Sequence, residues 1–326
     1  MTDDEGCPQQ RCPAGGSTAA RRSSGPTSAK KGSWSGSLRN PDTVAAMTTI
    51  LGLDAAWTAR EPSGVALVAK RDGLWRCLAL APSYESFVAL SRGDAVNWAR
   101  APCGSAPNLP CLLEAASRVA RGAIDIIAVD MPLSLGPITG RRAADRLVSR
   151  EFGSRWCSAH SPTTSRPGIV GAGLCQQLAA RGYSIATADT PAGTTRRLVE
   201  VYPHVALLEL LTRERRVPYK LAKSLKYWPA TTVRTRIERL LAEMETIERA
   251  LRKCIDGIDI RLPSAGSVGA LSGLKRYEDA LDALVCCWAG IQYVTCNAIP
   301  LGDNECAIWC PRPSHCTNSD DSTIVG

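Results

Sequence analysis

Tyr277-Glu278-Asp279-Ala280-Leu281-Asp282-Ala283-Leu284 opens the segment that decides the architecture of this chain. From Ala280 to Ile291 the only strongly polar side chain is Asp282; the rest are Ala, Leu, Val, Cys, Trp, Gly and Ile. A helix that is apolar on nearly every side belongs inside the fold, so the segment predicts a buried helix over 277–293. At about 100° per residue, Asp279 and Asp282 lie roughly 60° apart on one face. A carboxylate in such a helix is costly unless a cation, a metal or a proton neutralises it. Two on one face suit a divalent metal bound through hard oxygen ligands. The plainer reading places acids near a helix start, where the dipole favours them. It fits Glu278 and Asp279, and fits Asp282 poorly.

Upstream, three strand-like runs (49–55, 64–70 and 74–80) are separated by the turn residues Pro62-Ser63 and Asp72-Gly73, as in antiparallel hairpins. Helical segments are predicted at 84–91, 112–121 and 141–151, and a long amphipathic helix at 229–253. The nearly continuous apolar run 124–130 ends in Asp130 and reads as an interior strand. Residues 198–202 form a short strand closed by Pro203. The Ser-, Pro- and Gly-rich stretch 158–173 reads as a loop. Antiparallel strands followed by strands alternating with helices predict an α/β fold, a mixed sheet with helices on both faces.

Composition sets the outer limits. Residues 1–46 are rich in Gly, Ser, Pro, Ala, Thr, Arg and Lys and predict a disordered N-terminal extension. Met47 stands directly before the first strand and is a candidate start of translation beside Met1. The polar residues 313–326 read as a flexible tail, which leaves a folded body of 47–312. The 44% hydrophobic content suffices for a core, and a net charge of +8 permits a polyanionic partner. No run of about 18 apolar residues occurs, so no membrane partner is expected. The acidic opening Met1–Gly6 lacks a secretory pattern. The 14 cysteines form no paired C-x-x-C module, and Cys306, Cys310, His315 and Cys316 resemble a zinc cluster only loosely. A reducing, cytoplasmic setting is the expectation.

Lone acids mark the ends of three strands. Asp54 closes Ile50-Leu51-Gly52-Leu53, sharing a face with Ile50 and Gly52. Asp130 closes Ile126-Ile127-Ala128-Val129. Glu200 sits between Val199 and Val201. Acids are rarely buried unless paired. One such acid is readily explained as a cap or salt bridge, but three plus Asp279 and Asp282 suggest convergence. A divalent cation would relieve their repulsion. Two-metal phosphoryl chemistry uses carboxylates in this way, with ions about 4 Å apart.

The motifs Ile50–Trp57, Ala128-Val129-Asp130-Met131-Pro132, Glu200-Val201-Tyr202-Pro203-His204 and Tyr277–Leu284, with Ala307–Pro311, resemble the DUF429 family of predicted RNase H-like nucleases. The resemblance spans about residues 47–312 and keeps the motif order. It implies the ribonuclease H-like fold, with Asp54 on the first strand, Asp130 on the fourth and Asp282 on the last helix. It also implies hydrolase activity on nucleic acid with Mg²⁺ or Mn²⁺. Asp54, Asp130, Glu200 and Asp282 are then the candidate catalytic acids. Asp54, Asp130, Asp279 and Asp282 are the candidate metal ligands.

Six further residues are candidates for substrate binding. Arg141 and Arg142 begin a helix and would fork phosphate oxygens, or else form a solvated face. His160 and Ser161 lie in a loop similar to the family's, which would contact substrate, or else is a plain irregular loop. His204 follows Glu200 and would orient water or a phosphate. Lys220, with Tyr219, Lys223 and Lys226, would track a nucleic-acid backbone, against a default of a solvated basic face. No G-x-S-x-G elbow and no G-x-x-x-x-G-K-[ST] loop occurs. Three histidines are too dispersed for a His-based metal site. The alternative to a metal-dependent nuclease or phosphodiesterase is a non-catalytic module of the same fold that binds a nucleotide or nucleic acid.

Overall fold

The computed structural model describes residues 48–58 and 60–313. The predicted N-terminal extension 1–46 lies outside these residues, as does the predicted tail beyond Pro313. Strands β1 (Thr49–Asp54), β2 (Gly64–Arg71) and β3 (Leu74–Ala81) form the predicted antiparallel meander. Helices α1 (Tyr84–Leu90) and α2 (Leu109–Ala120) lead to β4 (Ile126–Val129), which lies parallel to β1. Then follow α3 (Ala143–Phe152), α4 (Gly168–Ala179), β5 (Ser184–Ile185) and β6 (Arg197–Glu200). The second half holds α5 (Pro203–Leu210), α6 (Ser224–Tyr227), α7 (Val233–Arg252) and α8 (Lys275–Val294), closed by the hairpin β7 (Ala298–Gly302) and β8 (Ala307–Pro311). The sheet order is β3-β2-β1-β4-β6-β8-β7, with β5 beside the start of β6. This mixed sheet, with its helices, is consistent with the ribonuclease H-like fold. No described helix is long and apolar enough to cross a membrane.

Alternation along the strands divides the core. Ile50, Ala66, Val68, Ile126, Ala128 and Val199 pack with α7 and α8 on one face. Leu51, Leu53, Val65, Leu67, Ile127 and Val129 pack with α1, α2 and α4 on the other. Side chains two apart share a face, so a strand buried on both sides needs apolar residues throughout. Helix α8 is the buried helix its sequence predicts, with every residue from Tyr277 to Ile291 buried. It lies close on β1, where an added Cβ at Gly52 would sit 2.2 Å from the Ala283 carbonyl oxygen. The thiol of Cys286 donates to the Leu53 carbonyl, and that of Cys287 to the carbonyls of Ile50 and Ala66.

The stretch 158–173 is not loop throughout: α4 begins at Gly168. Its three glycines weaken the local helix signal, but Leu174 and Leu178 are buried against the sheet and hold the helix. Helix α5 begins at Pro203 itself, because proline at the first helical turn gives up only an amide that would be unpaired there.

Candidate active site

The parallel register of β1 and β4 sets Leu53 opposite Val129, and the Asp130 amide donates to the Leu53 carbonyl at 2.9 Å. Asp54 and Asp130 therefore leave neighbouring strands at the same end. By alternation both belong to the face that α8 covers. Helix α8 runs across this end and brings Glu278, Asp279 and Asp282, all buried, toward them. Gly64 admits the helix here: an added Cβ would lie 2.0 Å from the Asp279 carbonyl oxygen.

So much negative charge in a buried place is only partly balanced. Burial, then the charge of Asp54, pushes the carboxyls of Asp130 and Asp279 well above the usual range. Burial pushes Asp282 up to about 6, with Lys220 restraining the rise and Asp54 adding to it. Two lysines reach in. Lys220 pairs with Asp282 and lies 3.7 Å from Glu278. Lys275 bonds Asp279 and, at 3.0 Å, Glu278. Burial works against Glu278 as an anion, but Lys220, Lys275 and the Leu221 amide outweigh it and lower its pKa. Burial also opposes the Lys220 ammonium, yet Asp282 first, and Glu278 with it, raise its pKa. The Tyr219 phenol, held protonated by burial and by Asp282, donates to Asp282 Oδ1 at 2.5 Å.

Glu200 stands elsewhere. It pairs in register with Val129, one residue short of Asp130, and has the parity of Leu198, so it faces away from α8. There it accepts from both terminal nitrogens of Arg142 at 2.6 Å and from the Leu133 amide at 2.7 Å. Arg142 also pairs with Asp145 at 2.7 Å. Burial raises the Glu200 carboxyl, and Arg142 resists that rise. Arg142 is thus a buried structural cation. Arg141 is exposed at the start of α3, bonded to Ser149 Oγ.

Two cavities open on the acids. One, of about 980 Å³, is lined by Asp54, Asp130, Asp279, Lys275, Ser161 and Arg166, among others. The other, of about 320 Å³, adjoins it and is lined by His204, Arg216, Lys220, Tyr202 and Glu200. Trp57, Asp130, His160, Arg166, Lys223 and Glu278 border both. The structure thus gathers Asp54, Asp130 and Asp279 with Lys220 and His160 around one groove, while Asp282 is wholly buried and lines neither cavity. Glu278, Lys275, Trp57 and Arg216 join them. Glu278 was legible as the residue one turn before Asp282, on the same helical face.

The donors suit a hard divalent ion in part. Asp279 Oδ2 is buried without a hydrogen-bond partner, and burial, then the charge of Asp54, makes the anions of Asp130 and Asp279 costly without a cation. Asp54, Asp130 and Asp279 are the residues that would hold it. Asp282 has both oxygens engaged, by Tyr219 and Lys220. Among the described residues, no group of three or more His, Cys, Asp or Glu side chains is placed to hold a metal ion as the side chains stand.

The family model described as "Protein of unknown function (DUF429)" matches residues 52–305, and the chain belongs to this family. No curated protein and no solved structure matches it.

Proposed function

We propose that this protein is a Mg²⁺- or Mn²⁺-dependent phosphodiesterase acting on nucleic acid. The observation that carries the reading is the juxtaposition of Asp54, Asp130 and Asp279 at one sheet end, with a buried Asp279 oxygen left without a partner. A bound ion supplies positive charge to a phosphoryl oxygen and makes water a stronger nucleophile. The protein's own groups do the rest. Asp54 and Asp130 project from rigid strand ends, which fixes their spacing. Lys220 holds Asp282 in place, and the basic rim of Arg166, Lys223 and Arg216 attracts a polyanion. The +8 charge of the whole chain favours the same partner.

Cleavage of single-stranded, structured and hybrid oligonucleotides with Mn²⁺ tests this directly. Asp54→Asn and Asp130→Asn are expected to lower the rate by about a hundredfold or more. Robust cleavage in EDTA, or full activity in Asp54→Asn, overturns the proposal.

One observation favours a second reading, a binding module without turnover: Lys220 and Lys275 already neutralise Glu278, Asp279 and Asp282. Salt-sensitive oligonucleotide binding with neither cleavage nor stabilisation by millimolar Mn²⁺ would select it.

A further inference from the structure

We propose that the smaller cavity, between the N-terminus of α5 and the segment 215–223, is a binding subsite for one phosphate group held by Arg216, Lys223 and Arg166. It deepens the phosphodiesterase reading, and rests on that reading only for what carries the phosphate.

Three observations support the site. First, its cations are free. Among the described residues Arg166, Arg216 and Lys223 make no ion pair, whereas Asp145, Glu200 and Glu278, three of the carboxylates bordering the same cavity, are engaged. Arg142 holds Glu200 and Asp145, while Lys220 and Lys275 hold Glu278. Asp130 and Glu278 border the subsite directly, and Glu278 is the α8 acid already held by two lysines.

Second, Arg216 is positioned from behind. Its Nη2 donates to His204 Nε2 at 2.5 Å. Burial, and after it the charge of Arg216, keeps the imidazole neutral, so Nε2 accepts and the proton sits on Nδ1. His204 is only 5% exposed, and neither its Nδ1 nor the Arg216 Nε has a hydrogen-bond partner. Arg216 also lies beside the Tyr227 hydroxyl, and a guanidinium held by such neutral partners and by no carboxylate is disposed to fork an anion. The edges of Tyr202 and Tyr219 flank the imidazole and fix its plane.

Third, Val201, Tyr202 and His204 line the cavity where α5 begins, and Tyr202 gives that helix no side-chain cap. The positive end of the helix therefore faces the same space. His160 registers the resulting field: partial burial and then Lys223, Arg216 and Arg166 hold its pKa below the ordinary value.

A phosphate here would lie across Asp130 from Asp54 and Asp279, as a neighbour of the scissile group would. The Trp57 ring, with the Arg166 guanidinium 5.8 Å from its centroid, borders both cavities and offers a face to a base. Free phosphate or a mononucleotide would use the cations without needing that ring.

Calorimetric titration of the full chain with inorganic phosphate in EDTA tests the subsite apart from any cleavage. Saturable binding is expected, weakened about tenfold or more by Arg216→Gln and by Lys223→Gln. Lys223 is exposed, so its variant folds whatever Arg216 contributes to packing. Asp279→Asn, in the other cavity, is expected to leave phosphate affinity within about twofold. A single-stranded oligonucleotide that competes with phosphate, and binds more weakly to Trp57→Ala while phosphate does not, identifies nucleic acid as the carrier. Competition indifferent to Trp57 identifies a small phosphate ligand. No saturable binding, or affinity unchanged in both cation variants, overturns the subsite. Loss of Mn²⁺-dependent cleavage alone does not, so the two proposals fail separately.

Discussion

Lys220 and Asp282 form an ion pair in which the carboxylate side chain is wholly buried and the lysine side chain is 18% exposed. They come from segments 62 residues apart, and Tyr219, next to Lys220, bonds the other carboxylate oxygen. The extended segment before α6 is thereby fastened to the middle of α8. Removing one partner of such a pair leaves a buried charge without compensation. Lys220→Met is expected to destabilise the protein by about 3 kcal/mol, read from urea denaturation. The double variant Lys220→Met/Asp282→Leu is expected to recover part of that loss. A single variant as stable as the wild type would show the pair to be unimportant.

The pH dependence of stability follows from the raised acids. Asp282 moves from 3.8 to about 6 on folding, so between these values the folded state holds more protons than the unfolded state. Stability from this group is therefore fully present below about pH 4 and is lost as the pH rises through about 6. The whole effect is on the order of 3 kcal/mol. Asp130 and Asp279 shift in the same direction and extend the decline upward. Denaturation midpoints between pH 4 and 8 should fall with pH, and Asp282→Asn should flatten the lower part of the curve. A midpoint rising steadily over that range would contradict the assignment.

Divalent ions should act against that decline. Mn²⁺ at millimolar concentration is expected to raise the melting temperature more at pH 8 than at pH 5, since protons and metal compete for the same oxygens. Differential scanning fluorimetry checks this, and Asp279→Asn should remove most of the shift. A shift independent of pH would place the ion elsewhere.

Glu200→Gln separates support from chemistry. The carboxylate accepts from Arg142 and from the Leu133 amide in a buried setting, so the amide variant leaves the buried Arg142 with Asp145 as its one remaining carboxylate. The expected loss is about 3 kcal/mol of stability, with any metal-dependent thermal shift retained. A variant of wild-type stability that has lost the metal response would return Glu200 to the metal site.

Gly52→Ala should damage the site without touching an acid. Its Cβ would sit 2.2 Å from the Ala283 carbonyl and 2.7 Å from Cys287 Sγ, both in a packed interior. Moving α8 away is expected to destabilise the protein by about 2 kcal/mol or more, measured by denaturation. It should also weaken metal binding, because Asp279 and Asp282 move with the helix.

Asp54, Asp130 and Asp282 were readable because each interrupts an apolar run whose periodicity is clear. Alternation placed Asp54 beside Gly52, and that face is the one α8 covers. Glu200 looked equivalent in the chain but stands level with Val129, one position short of Asp130, which turns it to the opposite face. Register between non-adjacent strands is set by packing and leaves no local mark. Its partner Arg142 lies 58 residues away, so neither could be recognised as half of an ion pair. Lys220 read as a base that tracks a nucleic-acid backbone or else faces solvent, since nothing nearby in sequence announces a buried acid 62 residues later. Helix α4 was hidden by Gly168, Gly171 and Gly173, whose weak propensity was overridden by tertiary contact.

The seating of α8 on β1 also governs the order in which the chain becomes a protein. Cys286 meets the Leu53 carbonyl across 233 residues, and Cys287 meets that of Ile50 across 237. As the chain leaves the ribosome, the opening meander has no cover for one hydrophobic face until nearly everything else has been made. Contacts of such sequence separation form slowly, and an uncovered sheet face invites association in the interval. A nascent chain arrested before Lys275 would carry Asp54 and Asp130 with nothing opposite them, exposed together with the strands that bear them.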